Sequence, residues 1–135
     1  MIMAANVLDQ WQVEYNSGIP VYRQIINQTC AAVAAGTFKP GDQLPTIRTL
    51  SGRLNVNPNT VAKAYRELEL KGIIESERGS GSFIQAQPPA SRPGPREKTA
   101  RLKTLYHRLL AEAASSGLTE SELLSFIKER NTPTI

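Results

Sequence analysis

Residues 56–72, VNPNTVAKAYRELELKG, decide how this chain is read. They form a helix whose start is written into them. Asn57 offers a side-chain oxygen to the first free amides, and Pro58 suits the first helical position, where no N–H is needed. Val61, Ala64, Tyr65 and Leu68 recur at helical spacing and share one apolar face. The other face carries Asn59, Ala62, Lys63 and Arg66, with Asn57 and Thr60 at its tip. Charge also changes along the axis: Lys63 and Arg66 come first, and Glu67 and Glu69 are kept for the far end.

Such a tip places amide, hydroxyl and ammonium donors at the end of a helix that carries the positive dipole, which suits phosphates and base edges. Asparagine pairs with adenine through two hydrogen bonds, lysine donates to guanine or phosphate, and the small Ala62 permits close approach in a major groove. Carboxylates would be repelled there, so Glu67 and Glu69 belong where the helix leaves the duplex. Taken by itself, the helix also admits a plainer reading, a well-capped start followed by a solvated charged surface.

Working outward, Thr46 is a suitable N-cap for a short preceding helix whose Ile47, Leu50 and Leu54 should pack against Val61, Ala64, Tyr65 and Leu68. Two helices joined by LNVNP make a helix-turn-helix. Arg48 lies early in that second helix, which in such motifs crosses the phosphate backbone; the alternative is a surface salt bridge. Lys39 and Arg53 read as solvated charges. Upstream, a first helix is expected from Pro20, with Val21, Tyr22, Ile25, Thr29, Ala32 and Val33 at helical spacing until Gly36 stops it. KPGDQLP then gives a turn at Pro40 and Gly41 and a very short extended piece at residues 43–45.

After Gly72, IIESERGSGSFI offers two short extended runs around Gly79, Ser80 and Gly81, the pattern of a hairpin. Arg78 beside Gly79 either enters a minor groove or sits on an ordinary hairpin tip. Three helices and a hairpin make a winged helix. The expected fold class is therefore mainly α with a small β-wing: a winged helix-turn-helix DNA-binding domain over residues 1–84 and a short two-helix region after it.

The proline-rich residues 85–96 read as an extended linker. Beyond it, over residues 97–135, Leu102, Leu105, Tyr106, Leu109, Leu110 and Ala113 form one helical stripe that Gly117 closes. Thr119 and Glu122 make a capping box for a last helix carrying Leu123, Phe126 and Ile127. Two helices on a tether cannot bury such a stripe alone. A dimer interface through Leu102, Leu105, Tyr106, Leu109, Leu123, Phe126 and Ile127 is expected, the alternative being that the stripe folds back on the first helix of the same chain.

At 135 residues there is room for one domain, or one small domain with an appendage. The net charge is +4 and the pI about 9.5, in the range of polyanion binders. Residues 1–45 hold two basic and three acidic groups, 46–83 six and four, and 84–135 eight and five, so the positive excess begins after Pro45. Cys30 is the one cysteine, which rules out an internal disulfide and a cysteine-rich metal site and makes a reduced cytoplasm the expected setting. No metal and no cofactor are implied. His107, the one histidine, lies within the late amphipathic helix as a surface or interface residue, far in sequence from Cys30, and no phosphate loop or metal cluster is present, so no catalytic residue is assigned and an enzyme is not expected. Cys30 reads as core. The start lacks a secretory pattern, and no run approaches the roughly 20 apolar residues of a membrane span.

The run PVYRQI followed by AAGTFKPGDQLPTIRTLSGRLNVNPNTVAKAYRELELKGIIESERGSGSFI closely resembles the DNA-binding domain of GntR-type bacterial transcription regulators, over about residues 19–84. GDQLPTIRTLS and NVNPNTVAKAYRELELKG carry most of the match. The short helical tail looks like the YtrA branch of that family. The resemblance implies a homodimer assembled through the carboxy-terminal helices, often governing membrane-transporter genes, and the reading that follows is a cytoplasmic repressor on inverted-repeat operator DNA. It also implies DNA contacts from Thr46, Arg48, Asn57, Pro58, Asn59, Thr60, Lys63, Arg78 and Gly79. Many relatives outside the branch have arginines where Pro58 and Ala62 stand, so their base preferences do not carry over. A small-molecule effector bound between the tails is compatible with this branch, although no constellation in residues 98–135 names a ligand class. The rival from another class is a winged-helix protein-interaction module that never touches DNA. It calls for acidic or apolar groups at positions 59, 62 and 63, where Asn, Ala and Lys stand.

Overall fold

The computed structural model describes residues 5–85 and 93–131. The chain divides into two compact units, Met1–Pro89 and Ala90–Ile135. Of the linker expected over residues 85–96, residues 86–92 lie outside the described residues. Its last two, Pro95 and Arg96, are already helical.

The first unit holds a 3-10 turn, Ala5–Gln10, then α1 (Val21–Ala34), α2 (Ile47–Leu54) and α3 (Pro58–Leu70), followed by β1 (Ile74–Glu77) and β2 (Gly81–Ile84). One core joins them: Ile25 and Ile26 from α1, Leu50 from α2, Val61, Ala64, Tyr65 and Leu68 from α3, and Ile74 and Ile84 from the hairpin. Each fully buried aliphatic side chain contributes about 1.5–3 kcal/mol, so this cluster dominates the stability of the unit. The α3 face expected from spacing is the buried one. Ile47 departs from expectation and is exposed, while Leu50 is buried and Leu54 half-buried. Ile47 opens the first turn of a helix of eight residues, and because side chains lean toward the helix start, one in that turn projects past its packing partner.

Two further apolar groups come from outside the helices. Trp11 is buried against Phe38, with ring centroids 5.4 Å apart. Its indole N–H donates to the Thr29 hydroxyl at 3.0 Å, and that hydroxyl donates to the Ile25 carbonyl at 2.8 Å, so a buried polar pair is satisfied. The segment carrying Trp11 is held to α1 by two glutamines one turn apart. Gln24 exchanges hydrogen bonds with the backbone of Glu14, and Gln28 does so with the backbone of Gln12. Arg53, expected as a solvated charge, instead forms an ion pair with Asp9 at the end of the 3-10 turn.

The hairpin is antiparallel and runs in register from Ile74 opposite Ile84 to Glu77 opposite Gly81. Residues 41–44 lie along its outer side through hydrogen bonds from Gly41 to Ile84, Ile84 to Asp42 and Leu44 to Ser82, each 2.8 Å. The extended piece expected at residues 43–45 thus appears as a bridge between Gln43 and Phe83.

The second unit is α4 (Pro95–Ser115) and α5 (Glu120–Asn131) packed together. Gly117, at φ 78°, lets the Leu118 N–H return to the Ala113 carbonyl at 2.8 Å and ends α4. The capping box is present. Glu122 N–H donates to the Thr119 hydroxyl oxygen at 3.1 Å, and Thr119 N–H donates to Glu122 Oε1 at 3.0 Å. Among the described residues of this unit Ala113 is the buried apolar side chain. No helix is long and apolar enough to cross a membrane among the described residues.

Candidate nucleic-acid interface

The turn between α2 and α3 sets the site. Asn55 ends α2 in the left-handed conformation, φ 56° and ψ 47°, and the Val56 N–H turns back to the Ser51 carbonyl at 3.0 Å. The chain then enters α3 through Asn57, whose Oδ1 accepts from the Asn59 N–H at 2.8 Å, with Pro58 in the first turn. The cap uses the oxygen of Asn57 and leaves its side-chain NH₂ to donate outward. Asn57, Pro58, Asn59 and Lys63 are exposed and Thr60 is half-buried, while the apolar face of α3 is turned into the core. Tyr65 anchors α3 to the entry of α2 by donating its hydroxyl to the Pro45 carbonyl at 2.6 Å. Burial pushes that phenol well above its ordinary value, so it stays a neutral donor.

At the start of α2, the Thr46 hydroxyl oxygen accepts from the Thr49 N–H at 3.0 Å, and Arg48 is exposed in the first turn. The hairpin tip presents Arg78 and Gly79, also exposed. Gln43 links this tip to the α2 entry, its side-chain NH₂ donating to the Ser80 carbonyl at 2.9 Å. The link needs Gly81: a Cβ there would stand 2.8 Å from Gln43 Nε2, and φ is +112°. The expected contact residues therefore fall into three groups, the α2 start, the α3 start and the wing tip. Packing of α2 on α3 and of α3 on β1, with the Gln43 link, holds the three on one rigid frame.

Electrostatically the frame divides as its sequence does. The guanidinium groups of Arg48, Arg66 and Arg78 take part in no ion pair among the described residues. The rear carboxylates are engaged by protein instead. Glu67 lies 3.6 Å from Arg23 of α1, and Glu69 accepts from the Ser76 hydroxyl of β1. On α3 the acid is thus tied down at the back while Arg48, Arg66 and Arg78 are left open, an arrangement that suits a polyanion, although Glu75 and Glu77 of β1 are also exposed beside the wing.

Sequence reading missed Gln43, whose partner lies 37 positions on, and it left Arg66 out of the contact set although Arg66 is exposed on the Lys63 side of α3. It placed Tyr22 in an apolar stripe; the half-buried ring also carries the Lys63 ammonium on its face, 3.9 Å from the centroid. Cys30 is half-buried against the core, and burial pushes its thiol up, partly offset by Lys71. In the second unit Leu102, Leu105, Tyr106, Leu109, Phe126 and Ile127 are exposed and Leu123 is half-buried. Tyr106 also donates its hydroxyl to Glu120. No group of acidic, His and Cys side chains among the described residues could hold a metal ion.

Known proteins share this fold. The family described as bacterial regulatory proteins, gntR family, matches residues 21–84. The chain is 39% identical to the HTH-type transcriptional repressor YtrA of Bacillus subtilis, over 87% of this chain and 89% of that protein. Among solved structures, a transcriptional antiterminator from Listeria monocytogenes superposes with a TM-score of 0.67 at 30% identity, covering 89% of this chain and 88% of that one. YtrA from Sulfolobus acidocaldarius, a GntR-family transcription factor, gives 0.56 at 32% identity, covering 73% of this chain and 95% of that one. The likeness extends past the winged helix into the helical tail, and the chain belongs to the gntR family of bacterial regulatory proteins, as a DNA-binding regulator of transcription.

Proposed function

We propose that the chain is a homodimeric repressor that sets two copies of α3 into successive major grooves of an inverted-repeat operator, about one helical turn apart. The observation that supports this reading is the division of charge on α3: its amino half is free of acid and exposes Pro58, Asn59 and Lys63, while Glu67 and Glu69 are held by Arg23 and Ser76. Asn59 and Lys63 read base edges. Arg48 contacts phosphate, with Thr46, Asn57, Pro58 and Thr60 framing the backbone contacts, and Arg78 with Gly79 follows the neighbouring minor groove. The exposed apolar residues of α4 and α5 support the dimer, and the repressor name of the Bacillus subtilis relative supports the direction of control. A DNA target is consistent with action in the cytoplasm.

The test is selection of bound fragments from random DNA by the purified chain, followed by titration of the selected fragment and of a random duplex. Asn59→Ala and Lys63→Ala should each lose about 1–3 kcal/mol on the selected fragment and little on the random one. Failure to enrich any sequence would defeat the reading, and equal losses on both duplexes would remove base reading from this pair.

A further inference from the structure

Tyr22 and Arg23 stand side by side at the start of α1, which packs against α3. The Lys63 ammonium lies 3.9 Å from the centroid of the Tyr22 ring. The Arg23 guanidinium carbon is 5.2 Å from the same ring, and Arg23 Nη1 is 3.6 Å from Glu67 Oε2. Lys63 and Glu67 are four positions apart on α3, the spacing at which an ammonium and a carboxylate ordinarily meet on a helix surface. Here they do not meet. Among the described residues Lys63 has no carboxylate partner, because Glu67 faces Arg23.

We propose that Tyr22 and Arg23 are positioning residues that sort the charges of α3 for DNA binding: the Tyr22 ring holds the Lys63 ammonium on the groove-facing side, and Arg23 keeps Glu67 away from it. The two halves of the device do different things to the lysine. A carboxylate partner would neutralise the ammonium, and DNA would have to break that pair. A ring face attracts the cation through its quadrupole and takes neither charge nor proton from it. Lys63 held this way keeps its full charge and its outward N–H donors for a base edge or a phosphate. Its long side chain also gives up less rotamer freedom on binding, because the ring already restricts it. The Tyr22 ring is itself steadied by packing against the core. This inference rests on the reading of Lys63 as a DNA contact.

The experiment combines binding titrations, on the fragment selected by the wild-type chain and on a random duplex, with proton NMR of the Lys63 ε-methylene in the free protein. In the wild type and in Tyr22→Phe, ring current should shift those protons upfield, and the two proteins should bind alike. Tyr22→Leu should abolish the shift and weaken the selected fragment about two- to fivefold, the range of an exposed cation–π contact, with the random duplex affected little. That loss should vanish when Lys63→Ala is already present. Arg23→Gln should also weaken the selected fragment, and adding Glu67→Gln should restore it. The Arg23 and Glu67 variants leave the core untouched, so they carry the test if Tyr22→Leu folds poorly. Additive losses for Tyr22→Leu and Lys63→Ala, or no recovery on adding Glu67→Gln to Arg23→Gln, would overturn the proposal while leaving DNA recognition intact. A wild-type chain that selects no sequence would overturn both.

Discussion

Asn55 carries a positive φ of 56° without being glycine, and it sits where α2 must turn sharply into α3. Asparagine tolerates this region because its short polar side chain can satisfy itself locally, whereas a plain Cβ meets the following carbonyl. Asn55→Ala should cost about 1–2 kcal/mol in urea unfolding, while Asn55→Gly should stay within a few tenths of the wild type. Equal losses for the two would show that the side chain, and not the backbone, matters here. Arg48 makes a different argument at the same scale. Exposed and without an ion-pair partner among the described residues, it should act as a counter-ion to phosphate. Arg48→Ala should weaken cognate and random duplexes together and reduce the slope of log affinity against log salt by about one. An unchanged slope would return Arg48 to the solvated surface.

At the scale of elements, the starts of α2, α3 and α5 follow rules that act within a few residues, and those were legible, whereas α4 begins at Pro95, inside the stretch read as linker, and Pro20 caps α1 without being its first helical residue. Thr46 with Thr49, Asn57 with Pro58 and Thr119 with Glu122 all appear as spacing alone implies. The hairpin was legible for the same reason. What escaped depends on partners distant in sequence: Arg53 reaches Asp9 across 44 positions, Gln43 reaches Ser80 across 37 and Trp11 reaches Thr29 across 18. Periodicity also overreached at Ile47, since it marks a helix face but not where the neighbouring core ends. The candidate site divides likewise. The open front of α3 could be read from its residue order, but the fastening of its acids by Arg23 and Ser76 and the seat of Lys63 on Tyr22 arise only when α1 and β1 come alongside. The α5 cap carries a pH signature. Two hydrogen bonds from Thr119, first the backbone N–H and then the hydroxyl, hold the Glu122 carboxyl below its ordinary value. A depressed folded-state value means the cap stabilises α5 above the ordinary glutamate range of about 4.3 and weakens as pH falls through the folded value. Amide exchange in the first turn of α5 should therefore accelerate on acidification, and Glu122→Gln should flatten that dependence. A pH-independent turn in the wild type would exclude the cap as its cause.

For the whole molecule, the contrast between the two units matters most. The first closes a core around three helices and a hairpin. The second leaves Leu102, Leu105, Leu109, Phe126 and Ile127 at 40–57% exposure, with Ala113 as its buried apolar residue among those described. A pair of helices with so little inside it would gain stability by burying that surface against a second copy, as the proposed dimer requires. Leu105→Glu combined with Leu109→Glu should shift the sedimenting species to the monomer. It should also lower affinity for a two-half-site operator by about a hundredfold or more, with a single half-site bound as before, because the second contact loses its tether. A wild-type chain that sediments as a monomer at all concentrations would leave the surface to another use. The buried indole described at the centre of the first unit bears on the same contrast. Trp11 is the one tryptophan in the chain, and its emission reports the melting of the winged helix alone, whereas far-ultraviolet dichroism registers helices from both units. Superimposed thermal curves would mean one cooperative particle; a dichroic transition without an optical counterpart would reveal a tail that comes apart on its own schedule.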